Sequence, residues 1–169
     1  EALDQIAGEV EGFSLNDNPS LERIGSLHLV DKTKRLYIYN NPRLTVIDGF
    51  TKLIEVSERL AVFNNPLLED IASLNSRLDI LGDLEIYDNP RLSDCSIRPI
   101  CNYLKAPAGN IIITRNGGDC NSISLVKDAC PSPCLPGGMV FSRQSQLDSF
   151  RILFPDCDEI LGSVTISGN

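Results

Sequence analysis

Ile38-Tyr39-Asn40-Asn41-Pro42-Arg43-Leu44 decides the fold, because near copies of it stand at three other places in the chain. Leu15 to Leu21, Val62 to Leu68 and Ile86 to Leu92 repeat the pattern. All four keep Asn-Pro-x-Leu, at Asn18, Asn41, Asn65 and Asn89, with spacings of 23, 24 and 24 residues. A period of roughly 20 to 30 residues with one short apolar strand per unit predicts stacked repeats of the leucine-rich kind. The expected class is an α/β repeat: a right-handed, leucine-rich-repeat-like β-solenoid with short capping helices.

Two residues before each copy stands another apolar side chain: Phe13, Leu36, Leu60 and Leu84. Alternate residues of a strand share a face, so Leu36 with Ile38, Leu60 with Val62 and Leu84 with Ile86 point inward together. The sheet is therefore expected to be half buried. After each Asn-Pro, apolar residues recur about every third position, as in Leu21, Ile24 and Leu27, in Leu44, Ile47, Phe50, Leu53 and Val56, and in Leu68, Ile71 and Leu74. That spacing predicts a loose return path with no long helix. A corner asparagine both donates and accepts, so stacked copies satisfy backbone groups that the turn buries. The proline beside it removes an amide donor and stops the strand. These asparagines read as a structural ladder rather than as a binding site.

The same alternation turns Tyr37, Tyr39, Ala61, Phe63, Glu85 and Tyr87 away from the core. Tyr39, Phe63 and Tyr87 hold one position in three successive units, which predicts an aromatic row. Such a row stabilises neighbouring strands by contact across them. It also offers a recognition surface, since Tyr and Phe give large contact area at modest entropic cost. Tyr37, Tyr39, Phe63 and Tyr87 are the candidate ligand-binding residues.

The chain has 169 residues, of which 42 % are hydrophobic, enough for one substantial core or for a repeat array plus part of a second module. A net charge of -8, from 23 acidic against 15 basic residues, argues against nucleic acid, whose phosphates need a clustered basic surface. No apolar run approaches a membrane span, and no signal peptide is present; the first residue is Glu1, which suggests a processed or excised segment.

Six cysteines, Cys95, Cys101, Cys120, Cys130, Cys134 and Cys157, lie where the regular repeat stops. Their even number and clustering predict disulfide staples over an exposed core end, hence an oxidising compartment. Zinc is the competing reading, because three residues separate Cys130 and Cys134; no second pair of that spacing exists, and His28 is far away in sequence. Cys95 to Leu104 and Asn121 to Cys130 read as short helices around a fifth strand, Ile111 to Thr114. One pairing that fits is Cys95 with Cys120, Cys101 with Cys130 and Cys134 with Cys157; the sequence alone does not fix connectivity.

Residues 1–130 are thus expected to form the repeat array with its cap. Residues 131–136, with Pro131, Pro133 and Pro136, read as a stiff linker. Residues 137–169 read as a further unit: Ser142 caps a helix bearing Leu147, Phe150 and Phe154, followed by a strand from Val164 to Ile166. Asn169 follows Ile166 by three residues, as Asn41 follows Ile38, so the chain is expected to stop, and to begin, in mid-repeat.

The segment from Cys134, with Phe-Pro-Asp-Cys at 154 to 157 and Ile-Leu-Gly-Ser-Val-Thr-Ile-Ser-Gly-Asn from Ile160, resembles the amino-terminal cap and first strand of the receptor L domain. That family is best known from the ligand-binding ectodomains of the insulin and epidermal growth factor receptors. The Asn-Pro repeats and the Cys-Ser-Ile-Arg-Pro-Ile-Cys-Asn-Tyr-Leu stretch from Cys95 are more similar to the family's bacterial surface-protein branch. The resemblance implies a secreted or cell-surface protein, bacterial in origin, that binds its ligand on the sheet. Here the cap-like segment comes last. Either the chain is one period of a tandem array or it is circularly permuted. Strands about 4.8 Å apart separate the ends of a five-strand array by roughly 20 Å. We therefore expect residues 134–169 to start a further domain, or to cap a neighbouring molecule by head-to-tail or domain-swapped association.

The sequence has no Gly-x-Ser-x-Gly, no phosphate-binding glycine loop and no His-Glu-x-x-His. Asp156, Asp158 and Glu159 could hold calcium weakly but read better as a solvated loop. No enzyme, cofactor or metal is expected. Two functions remain: a non-catalytic extracellular module binding a protein or a glycan on its sheet without entering a membrane, or a structural spacer.

Overall fold

The computed structural model describes residues 6–25, 27–72, 74, 77–131, 135, 137–154, 157, 160 and 162–168. Among these the fold is mixed α/β, with one parallel sheet of six strands and three short helices, and the sheet does not close into a barrel. The chain divides into two compact units, Glu1–Cys130 and Pro131–Asn169.

In the first unit the strands are β1 (Ala7–Asn16), β2 (Arg23–Ile24), β3 (Leu29–Tyr39), β4 (Val46–Ile47), β5 (Glu55–Phe63), β6 (Asp79–Ile80) and β7 (Asp83–Tyr87). Helix α1 (Arg98–Lys105), strand β8 (Ile111–Thr114) and helix α2 (Ile123–Ala129) follow. The sheet runs β1-β3-β5-β7-β8, all parallel, with β6 beside β5. Its register is that of the sequence repeat: Leu15 pairs with Ile38, Ile38 with Val62, Val62 with Ile86 and Ile86 with Ile113.

Alternation has the expected consequence. Leu36, Leu60, Leu84, Ile38, Val62 and Ile86 are buried. They meet the return-path residues Ile24, Leu44, Ile47, Phe50, Leu53, Leu68 and Ile71 in a single core. No helix lies on the described return path between β1 and β7. Among the described residues its regular structure there is short: β2 pairs with β4, β6 pairs with β5, and Val46 bridges to Asp70. Each of these side chains is withdrawn almost completely from water, at about 25 cal/mol per Å² of apolar area, so the core dominates the stability of the unit.

The corners follow from two adjacent positions, both asparagine or aspartate in four of the five and Arg115-Asn116 in the last. Asp17, Asn40, Asn64, Asp88 and Arg115 all take left-handed backbone, with φ between 53° and 57°. Asn and Asp tolerate that region better than other side chains with a Cβ. The residue after each is the ladder asparagine. Asn41 Oδ1 accepts from the backbone N–H of Asn18, Asn65 Oδ1 from Asn41, Asn89 Oδ1 from Asn65 and Asn116 Oδ1 from Asn89, at 3.1–3.2 Å. Each Nδ2 donates to a strand carbonyl of the preceding repeat: Asn41 to Leu15 O, Asn65 to Ile38 O, Asn89 to Val62 O and Asn116 to Ile86 O. Asn41, Asn65 and Asn89 are completely buried, so these bonds meet the demand that buried polar groups be paired.

At the β8 end, Cys95–Cys120 and Cys101–Cys130 are disulfide-bonded as expected. Helix α1 begins at Arg98, with Pro99 in its first turn, and the segment expected as one helix from Asn121 is a 3-10 turn, Gly118–Asn121, followed by α2. Ser122 caps α2 by accepting from Leu125 N. Tyr103 of α1 donates to Gly82 O. Gly82 has to be glycine, since a Cβ there would stand 2.0 Å from Glu58 O of β5.

The second unit comprises β9 (Met139–Phe141), α3 (Gln144–Leu153) and β10 (Val164–Ile166), with β9 and β10 parallel. Helix α3 starts one residue later than expected, because Gln146 Oε1 reaches back to accept from the N–H groups of both Ser142 and Arg143. Phe150 packs edge-on to Phe141 and tilted against Phe154, while Leu147 is exposed. Gly162 permits close approach of the loop, for a Cβ there would lie 1.9 Å from Gly138 N. The expected linker falls largely on Ser132, Pro133, Cys134 and Pro136, which lie outside the described residues, as do Cys134 of the third expected disulfide and the acidic Asp156, Asp158 and Glu159.

Candidate functional site

The outward face of the sheet in the first unit is built from three rows set by the register. Gly12, Arg35, Arg59 and Asp83 form the first, Ser14, Tyr37, Ala61, Glu85 and Ile112 the second, and Asn16, Tyr39, Phe63, Tyr87 and Thr114 the third. The structure therefore brings Tyr37, Tyr39, Phe63 and Tyr87 to one face, each half-buried. Ala61 differs from expectation. It belongs to the outward row, yet it is completely covered, because a single methyl cannot rise above Tyr37 and Glu85 on either side.

Tyr39 stacks on Phe63 with centroids 4.7 Å apart and planes 6° from parallel, and Phe63 stacks on Tyr87 at 4.8 Å and 7°. The separation matches the spacing of strands, about 4.7–4.9 Å, so the register itself makes the stack. Phe63 thus has a ring against each face. Tyr87 has Phe63 on one side and the Arg115 guanidinium 5.8 Å from its centroid. Among the described residues, Tyr39 has Phe63 over one face alone, its other face lying on the side of Asn16 in β1, and no ring or cation stacks on Tyr37.

Beside the stack lies a charged cluster that the sequence reading did not assemble. Arg59 Nη2 donates to Asp83 Oδ2 at 2.8 Å, and its Nη1 lies 3.5 Å from Glu85 Oε1. Asn110 supplies Asp83 with a backbone N–H at 2.8 Å and an amide N–H at 3.2 Å. These donors, the Asn110 N–H first and Arg59 next, hold the Asp83 carboxyl below its ordinary range. Burial pushes the Tyr87 hydroxyl up, with the Glu85 and Asp88 charges adding to it, so that it stays a neutral donor. Asp88 is lowered by Arg115, which donates to it from Nη2 at 2.8 Å. Arg35 bridges to Glu11 and Glu58, each at 3.5 Å.

Ser14, Tyr37, Tyr39, Arg59, Phe63, Glu85 and Tyr87 enclose a shallow, open depression of about 530 Å³. Volume alone would admit a small molecule, but ligand pockets cover most of their ligand and this one does not. What it offers is a mixed surface: ring edges, tyrosine hydroxyls and one arginine held between two carboxylates. The alternation signal located the aromatic half. Arg59 and Asp83 were missed because nothing within one repeat shows that the unlike residues at a given position are opposite in charge.

Among the described residues no group of three or more His, Cys, Asp or Glu side chains is arranged to hold a metal ion. His28 is exposed and has Nδ1 3.3 Å from Thr51 Oγ1. Among the same residues no helix is long and apolar enough to cross a membrane. The two disulfides fit an oxidising, extracellular compartment.

Compared with known proteins, the chain matches no family model, no curated protein and no solved structure, so these comparisons lend the receptor L domain resemblance no support.

Proposed function

We propose that the first unit is a right-handed, leucine-rich-repeat-like solenoid serving as a non-catalytic extracellular binding module, and that its outward sheet face recognises a protein partner. The reading rests on one observation above others: Tyr39, Phe63 and Tyr87 stand in a continuous half-exposed row beside Arg59 and Glu85. Aromatic side chains and arginine are enriched where proteins meet, and they dominate the energetics there. The in-register repeat of a 24-residue unit supports the solenoid, and the Asn-Pro and cysteine motifs support kinship with the receptor L domain.

A protein is favoured over a glycan because the rings use their faces on one another. Stacking a sugar needs an open aromatic face, and within the three-ring stack the outer face of Tyr39 alone is open, with Tyr37 beside it as a single unstacked ring. Edges, hydroxyls and the Arg59 fork suit a protein surface with its own polar groups. The spacer reading draws on the same stack, since contacts on both faces of Phe63 also stabilise the sheet.

The test is a panel of extracellular proteins and glycans probed with the purified chain and with Arg59→Glu. A protein hit lost on charge reversal is expected. Hits confined to glycans would replace the protein reading, and no hit from the folded chain would favour the spacer.

A further inference from the structure

Each asparagine of the buried ladder holds its side-chain amide close to the peptide nitrogen that follows it, and the residue carrying that nitrogen decides whether the amide lasts. Attack of the nitrogen on the amide carbon closes a five-membered succinimide and expels ammonia. At Asn18, Asn41, Asn65 and Asn89 the next residue is proline, whose nitrogen has no hydrogen to lose and cannot close the ring. At Asn116 it is Gly117, in the one Asn-Gly pair of the sequence. Glycine has no side chain to hinder the approach, so this pair cyclises more readily than other asparagine pairs.

Packing explains why proline is replaced at this corner. Gly117 N donates to Leu92 O at 2.9 Å, a bond proline cannot make, and a Cβ at Gly117 would stand 2.7 Å from Pro90 O. The last rung of the ladder is therefore the labile one.

The folded chain holds that rung shut. Asn116 is 8 % exposed; its Oδ1 accepts from Asn89 N and Nδ2, both at 3.1 Å, and its Nδ2 donates to Ile86 O at 2.8 Å and to Cys120 O at 3.0 Å. The attacking nitrogen is occupied as well, by its bond to Leu92 O. Both anchors meet at one disulfide. Cys120, which receives the Asn116 amide, is joined to Cys95, three residues beyond the Leu92 that receives the Gly117 N–H. Cys120 N also donates to Ser93 O and Gly117 O, tying the same two segments.

We infer that Asn116 is a latent modification site, closed while Cys95–Cys120 is intact and opened when a dithiol reductant breaks that bond. The dithiol gives two electrons and two protons, leaving two cysteine thiols and a cyclic disulfide of its own. Gly117 N then bonds to Asn116 Cγ, its proton leaves with the amide nitrogen as ammonia, and water opens the succinimide at either carbonyl to leave aspartate or isoaspartate at position 116. A carboxylate there cannot donate to Ile86 O or Cys120 O. The ladder does not re-form at its capped end, so a passing reduction is recorded permanently. The site is independent of the binding role above.

Peptide mapping by mass spectrometry tests this on the intact chain, incubated in mildly alkaline buffer without reductant, with dithiothreitol, and with dithiothreitol in urea. Amide loss at position 116 is expected to be at least about tenfold faster in the reduced chain than in the oxidised one and to approach the rate in urea, while Asn18, Asn41, Asn65 and Asn89 keep their amides throughout. Cys101→Ser with Cys130→Ser, which retains Cys95–Cys120, is expected to hold the Asn116 amide as the unaltered oxidised chain does. Amide loss as fast in the oxidised chain as in urea, an amide retained on reduction, or loss at the reduced rate when Cys101 and Cys130 alone are replaced, overturns the inference.

Discussion

Two ladders cross the same sheet two residue positions apart, and they differ in what they leave for other molecules. At the corner, Asn41, Asn65, Asn89 and Asn116 use their donors and acceptors internally and are closed to water. On the outward face, Tyr39, Phe63 and Tyr87 stack with the same period but remain half-exposed, and among the described residues the Tyr39 and Tyr87 hydroxyls donate to no side chain or carbonyl. The same repeat therefore produces one set of side chains that only hold the strands and another that also faces a partner. A buried amide left without its mate costs free energy in the folded chain, whereas a half-exposed ring is replaced by water.

That difference sets the order of expected effects. Asn65→Ala removes donors to Ile38 O and Phe63 O and the acceptor for Asn41 N, all buried or partly so. It is expected to cost about 4 kcal/mol in urea unfolding, against about 1 kcal/mol for Asn18→Ala at the open end of the ladder, where the amide is half-exposed. Equal costs would break the comparison at the corner. Replacing Cys101 and Cys130 together by serine opens a cross-link spanning 29 residues and is expected to cost about 3 kcal/mol, seen as a fall in the urea midpoint. On the outward face the effects shrink. Phe63→Ala loses two ring contacts and is expected to cost about 2 kcal/mol, less than Asn65→Ala two residues away.

The smallest effect is electrostatic. Asp83 has its carboxyl lowered by Asn110 and Arg59, so its charged form is favoured by folding. The stabilisation is present above the ordinary aspartate value of 3.8 and is lost as pH falls through the lowered one. Acid titration of stability is expected to lose part of its slope below pH 3.8 in Asp83→Asn, with the neutral-pH baseline shifted only slightly. An unchanged acid limb would remove Asp83 from the account of the charged cluster.

Much of this was legible in the sequence, and for identifiable reasons. Asn-Pro-x-Leu carried the corner, and period-two alternation placed Leu36, Ile38, Tyr37 and Tyr39 on opposite faces, because both signals are local. Asn116 escaped notice because no proline follows it, and because the stretch containing α1 lengthens the interval from Asn89 to 27 residues. Its trace is the Ile113-Thr114-Arg115-Asn116 spacing, the same as Ile38 to Asn41. The Arg59 cluster was invisible for a different reason. Its contacts join unlike residues from neighbouring repeats, Arg59 of β5 with Asp83 and Glu85 of β7, and no single repeat shows that these positions are opposite in charge. Ala61 was placed on the correct face but expected in solvent, since the covering by its neighbours depends on side-chain height rather than on alternation.

The most direct test of the account pairs stability with binding in one set of samples. Tyr39→Ser with Tyr87→Ser is measured beside Asn65→Ala and the unaltered chain, against the partner found on the protein panel. The tyrosine variant is expected to unfold within about 1 kcal/mol per site of the unaltered chain and to bind at least tenfold more weakly, while Asn65→Ala, at a temperature where it is folded, is expected to bind normally. A tyrosine variant that loses stability but keeps full affinity would contradict it, and would leave both ladders as parts of a scaffold.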